Sequence, residues 1–127
     1  MNKYNARKVE YDGMKFDSAF ERDRYIHLKG LEDLGIIKNL RRQVKFEIIP
    51  KQDGERSANY VADFVYEDET GKMVVEDTKG FVTPDYVLKR KLLLLVHGIK
   101  ISEVRLGGNG KKHQTKHRKK QIRISEG

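Results

Sequence analysis

The chain contains no cysteine, which excludes disulfides and thiolate metal centres. It also lacks a long apolar run. The longest is residues 92–96, LLLLV, against the roughly 20 apolar residues that a membrane-spanning helix needs. The opening MNKYNARKVE has no hydrophobic segment of the signal-peptide kind. These absences lead us to expect a cytoplasmic protein with no membrane partner. No aromatic residue interleaves the charges of residues 107–127, so base stacking is not expected there.

What is present is charge, unevenly placed. The net charge is +8, from 27 Lys and Arg against 19 Asp and Glu. Residues 107–127 hold seven of those basic residues and a single acid, Glu126, so the rest of the chain is nearly neutral. A basic end on a neutral body suits a polyanion, most simply nucleic acid. Its apolar residues are clustered, and at 127 residues the chain has room for one domain with a core of its own. We therefore expect one folded domain over residues 1–106 and a basic tail over 107–127.

Local patterns give the element order. Asp12-Gly13, between VEY and MKF, is a two-residue hairpin signal, because both turn positions favour positive φ. Residues 18–34 predict a helix, with Ser18 as N-cap, Glu21 in the capping-box position and Gly35 as the stop. Residues 36–49 predict a long or bent strand closed by Pro50. NYVADFVYE at 59–67 and KMVVEDTK at 72–79 predict two more strands, joined by DETG. Thr83-Pro84 opens a second helix ending at Gly98. Its second half is apolar on all sides, which predicts burial. IKISEVRL at 99–106 predicts a last strand. The fold class that follows is α+β: a mixed sheet flanked by helices in the order αβββαβ, after an N-terminal hairpin.

The third strand ends on Glu76, Asp77 and Lys79, and the second carries Asp63 between Ala62 and Phe64. Asp77 and Lys79 share a face by the two-residue alternation of a strand. A turn centred near residue 69 or 70 would bring Asp63 opposite Asp77. Two facing carboxylates repel and call for a cation. Lys79 supplies one charge; a magnesium ion, with its taste for hard oxygen ligands and phosphate, supplies two. A cross-strand salt bridge with Lys79 is the plainer alternative.

In this order the segments KYNARKVEYDGMKFDSAFERDRY, YVADFVY, VVEDTKG and YVLKRKLLL resemble the PD-(D/E)XK nuclease superfamily. They resemble most its small phage-encoded members, often described as endonuclease- or Holliday-junction-resolvase-like. The similarity covers roughly residues 3–106. It implies a restriction-endonuclease-like fold in which Asp63 and Asp77 bind Mg2+, or Mn2+, and Lys79 is the catalytic lysine. Glu21 matches the acidic residue that many members carry on the first helix, as a further metal ligand and catalytic residue. Ala62 stands where the motif's name has proline, and Glu76 is a second acid beside Asp77.

The resemblance implies a Mg-dependent endodeoxyribonuclease, selective for branched or junction DNA in phage recombination or processing, in the bacterial host's cytoplasm. Cutting two strands would call for a homodimer, whose interface the sequence does not show. The alternative is a non-catalytic nucleic-acid-binding protein that keeps a nuclease-like fold. Lys89, Arg90 and Lys91 on the second helix, and Lys111, Lys112, Lys116, Arg118, Lys119 and Lys120 in the tail, are the expected nucleic-acid contacts. Arg41 and Arg42 line the same cleft or sit on an exposed edge. His113 and His117 belong with the basic tail rather than with a metal. Thr83 is expected to act chiefly as a helix cap.

Overall fold

The computed structural model describes residues 7–79 and 81–105. β1 (Val9–Tyr11) and β2 (Met14–Phe16) form the expected hairpin, with Tyr11 paired to Met14. Asp12 and Gly13 have φ of 54° and 76°, the two left-handed positions of a type I′ turn. Phe16 is buried and packs against Tyr25 of the first helix, ring centres 5.4 Å apart.

α1 (Ala19–Asp33) begins as its sequence asks: the Ser18 hydroxyl accepts from the Glu21 N–H at 3.1 Å. It ends at Gly35, φ 80°. The N–H groups of Gly35 and Ile36 reach back to the carbonyls of Glu32 and Leu31, both at 2.9 Å. That is the paired closure of a Schellman motif, which needs a residue without a Cβ penalty at the left-handed position.

The main sheet contains β3 (Lys38–Ile49), β4 (Ala58–Glu67), β5 (Met73–Lys79) and β6 (Ser102–Arg105), in that spatial order. The first three are antiparallel, while β6 lies parallel to β5 after the crossover helix α2 (Pro84–His97). The mixed α+β architecture read from the sequence is therefore the observed one. The β4–β5 turn is fixed by Asp68, whose carboxylate accepts from the N–H groups of Thr70 and Lys72, and by Gly71 at φ 86°. β6 is shorter than the 99–106 expected; Ile101, just before it, is buried.

Two cores lie on opposite faces. Ile48, Tyr60, Ala62, Val65, Val75 and Ile101 pack with Tyr86 and Leu93 of α2. Phe16, Ile37, Phe64 and Tyr66 pack with Tyr25 and Leu28 of α1. Strict alternation would put Ala62 and Phe64 on the same face, yet they belong to different cores. The alternation inverts at Asp63. On β3, Leu40 packs with the α1 core and Val44 and Phe46 with the α2 core. The inversion there falls beside Gln43, which has a φ of 51°. Both strands thus change face at the same level, one residue from each at the kink.

The second half of α2 departs from expectation. Leu93 is buried, but Leu94 and Val96 are each 51% exposed and Leu95 is 79% exposed. A run apolar on all sides predicts cover on all sides, but the fold places only one layer, the sheet, against α2. No helix of the described residues is long and apolar enough to cross a membrane. The basic residues at 111–120, with His113 and His117, lie outside the described residues.

Candidate active site

The β4–β5 ladder runs from Glu67↔Met73 to Phe64↔Glu76. One further step in that register is Asp63 beside Asp77, where the ladder stops. The Asp63 carboxylate takes over there. Its Oδ2 accepts from the Thr78 N–H at 2.8 Å and from the Thr78 hydroxyl at 2.7 Å. An acid in the middle of an apolar strand thus fills the gap that it sits beside, satisfying an N–H that would otherwise lack a ladder partner. Thr78→Val keeps the shape and removes one donor. It is expected to cost about 1 kcal/mol of stability in chelator, read by urea unfolding; an unchanged midpoint would mean that the hydroxyl does not hold Asp63.

Asp77 is buried, and its carboxyl faces that of Asp63 closely enough for the two to interact. Burial, followed by the adjoining Asp63 carboxyl, pushes the Asp77 carboxyl up to about 7, with Lys79 opposing. The Lys79 ammonium lies 2.9 Å from Asp77 Oδ2 and 3.9 Å from the centre of the Tyr86 ring. That ring is held in turn, since the Tyr86 hydroxyl donates to Glu103 at 2.6 Å. The salt bridge posed by the sequence as the alternative is present in the form Asp77–Lys79, within β5 rather than across strands, and it leaves the Asp63 carboxylate without a cation.

Glu21 comes to the same place from α1. It is buried, and its two oxygens serve different partners. Oε1 accepts from the Asp17 N–H at 3.2 Å, while Oε2 faces β3, accepting from Gln43 at 3.0 Å with Arg42 at 4.0 Å. Burial, then the charge of Asp63, pushes the Glu21 carboxyl up to about 7. Helix cap and site residue are rival readings of Glu21: one oxygen takes the N–H of Asp17, one residue ahead of the Ser18 N–H that a capping box engages, and the other is bound by Gln43 at the cleft.

Glu76, the neighbouring acid, is on the other face and has no share in this cleft. It is buried, bound by the Arg24 guanidinium at 2.9 and 2.6 Å, and accepts from the Tyr66 hydroxyl. That settles which of the two adjacent acids is available: Asp77.

Glu21, Asp63, Asp77 and Lys79 all line one cleft of about 810 Å³, together with Gln43, Tyr60, Thr78, Thr83, Tyr86 and Lys89. With Asp17 and Asp85 also on its wall, five acids face two lysines. Such a cleft repels a phosphate backbone unless cations enter it. Of the three basic residues expected to meet nucleic acid from α2, Lys89 lines it, 3.6 Å from Asp85. Arg90 is bound to Glu103 at 3.0 Å, and it and Lys91 border a separate hollow of about 340 Å³. Arg42 stacks over Phe16 at 4.0 Å, and Arg41 is exposed. Thr83 caps α2, accepting from the Tyr86 N–H at 3.2 Å.

Among the described residues, no three His, Cys, Asp or Glu side chains are drawn together tightly enough to hold a metal as they stand. Gln43, Thr78 and Lys79 occupy oxygens of the three carboxyls. The donor set nonetheless fits a hard divalent cation: it is all oxygen, shielded, and carries more negative charge than its neighbours balance. Sequence reasoning missed Gln43, and also Tyr60, whose buried hydroxyl lacks a well-formed hydrogen bond. Burial and the nearby Asp77 carboxyl raise the Tyr60 phenol well above its ordinary range.

A family model described as "Protein of unknown function (DUF1064)" matches residues 1–120. The chain belongs to the DUF1064 family. No curated protein and no solved structure matches this DUF1064 chain. The match spans every strand and helix described above, so the cleft, with Glu21, Asp63, Asp77 and Lys79, lies within the DUF1064 region.

Proposed function

We propose that this protein is a divalent-cation-dependent endonuclease that hydrolyses phosphodiester bonds in DNA, with branched or junction DNA as the preferred substrate. The observation that carries the reading is the meeting of Asp63 and Asp77 where β4 and β5 part, inside a cleft that Glu21 and Lys79 also line. The likeness of the segments around these residues to the PD-(D/E)XK superfamily supports it.

Asp63 and Asp77 would hold Mg2+ or Mn2+, with Glu21 assisting. When bound, the ion supplies an acidified water and neutralises charge on the phosphodiester. The chain's own groups do the rest. Lys79, steadied by Asp77 and the Tyr86 face, is placed to orient the attacking water and to stabilise charge developing on the phosphoryl oxygens. Thr78 fixes the rotamer of Asp63. Lys89 offers a cationic contact for phosphate at the cleft wall. The basic tail adds salt-dependent affinity for the backbone. Cutting both strands of a junction calls for two copies of the chain.

The test is a cleavage panel of linear duplex, single strand, flap, four-way junction and RNA, each with Mg2+, Mn2+ or chelator. Wild type should cut the junction or flap with either ion and nothing in chelator, and Lys79→Ala should lose cutting by about 10²-fold or more while still binding. Identical behaviour of the two proteins would remove the enzyme reading. Binding without any cleavage would identify a non-catalytic DNA-binding protein instead.

A further inference from the structure

Three non-glycine residues among those described have positive φ: Asp12, Asn39 and Gln43. Asp12 sits in the hairpin turn, and Asn39 at a register shift near the start of β3. Short Asp and Asn side chains tolerate that conformation well. Gln43 has neither excuse. It lies inside β3, level with Asp63, with ladder pairs at Arg42↔Phe64 and Val44↔Ala62 on either side. A strained backbone inside a strand points to function when the surroundings hold it there.

What the strain achieves is visible. The kink carries Gln43 out of the normal alternation, and its Nε2 donates to Glu21 Oε2 at 3.0 Å and reaches Asp63 Oδ1 at the long distance of 3.4 Å. An amide nitrogen carries two hydrogens, so one group serves two carboxylates. Asparagine is a methylene shorter, and glutamate would add a third negative charge. The two bridged carboxyls come from different elements, α1 and β4, and repel one another. Nothing in the chain's connectivity keeps them together.

We propose that Gln43 is a positioning residue whose amide clamps Glu21 beside Asp63, holding the two carboxylates ready for a divalent cation. The inference rests on the reading of the cleft as a cation site. Gln43 acts through the two acids and contacts no reacting atom. The left-handed backbone at this position is the conformational strain that aims its amide, and the fold keeps it for that reason.

Two measurements test it. The first needs no metal: a double-mutant cycle of Glu21→Gln and Gln43→Leu, by urea unfolding in chelator. The clamp predicts coupling of about fivefold in the unfolding constant; additive effects would overturn it. The second titrates Mn2+ into wild type, Gln43→Leu and Gln43→Gly by calorimetry. Both variants should bind Mn2+ about tenfold more weakly, as for the loss of a partner that orients a metal ligand. The glycine variant should melt above the leucine variant, because glycine adopts positive φ freely. Mn2+ affinity equal to or tighter than wild type in either variant would overturn the proposal. Wild type taking up no Mn2+ would sink the cation reading itself, and the cycle would then decide the clamp alone.

Discussion

Arg24→Ala is expected to remove about 3–5 kcal/mol of folding stability, the largest loss of any single substitution outside the apolar cores. The side chain of Glu76 is 2% exposed, and that of Arg24 25% exposed. Two hydrogen bonds from one guanidinium meet both carboxylate oxygens, the bidentate geometry in which arginine binds best. Glu76 in turn holds the guanidinium charge more firmly than usual. Truncating Arg24 leaves a buried carboxylate whose remaining partner is the Tyr66 hydroxyl. Small domains hold only about 5–15 kcal/mol in total, so the variant is expected to be partly unfolded at 37 °C. The double replacement Arg24→Met with Glu76→Leu should recover most of the loss, because an apolar pair of similar volume carries no desolvation cost. Urea unfolding of the two proteins decides the matter. A small loss in Arg24→Ala would mean that water reaches Glu76 and that the pair is only a surface bridge.

This network shows where the sequence stops being informative. Glu76 is 52 residues from Arg24, and nothing local marks the two as partners. By contrast, what depends on neighbours in the chain was legible. Asp12-Gly13 dictated its hairpin, and Ser18 with Glu21 opened α1. The DETG turn fixed the antiparallel register that sets Asp63 next to Asp77. The alternation that sets Asp77 and Lys79 on one face also held, and the structure adds that Glu76 faces the other core. Parity failed on β4 itself, because it presumes an unbroken pleat. The strand changes face at Asp63, and Gln43 carries no sequence signal for a left-handed backbone. Burial of the second half of α2 was overestimated for a related reason. Leu94, Leu95 and Val96 read as core from composition, but cover depends on how many layers the fold supplies, which no local pattern encodes.

Asp77→Asn is expected to stabilise the cation-free protein at pH 8 while abolishing cleavage. The direction follows from charge. The folded state holds the Asp77 carboxyl at about 7, against 3.8 ordinarily, through burial and then Asp63. Between those values the folded chain binds more protons than the unfolded one, so stability falls as pH rises from about 4 to 7 and stays low above it. The whole shift corresponds to at most about 4 kcal/mol, and asparagine, which forgoes the ion pair with Lys79, should recover about half. Glu21, also held at about 7, reinforces the same slope in wild type. A divalent cation relieves the same repulsion, so Mg2+ should raise the melting temperature of wild type more at pH 8 than at pH 5.5, and that of Asp77→Asn hardly at all. Cleavage of the preferred substrate should fall about 10³-fold or more, because one of the two carboxylates that meet at the strand ends no longer carries charge. Thermal melts at the two pH values, with Mg2+ or chelator, read the first effect and the cleavage assay the second. If Asp77→Asn melted lower than wild type at pH 8 in chelator, the negative charge would be serving the fold through Lys79. The carboxylates would then be a structural ion-pair network, and the case for a cation in the cleft would fail with it.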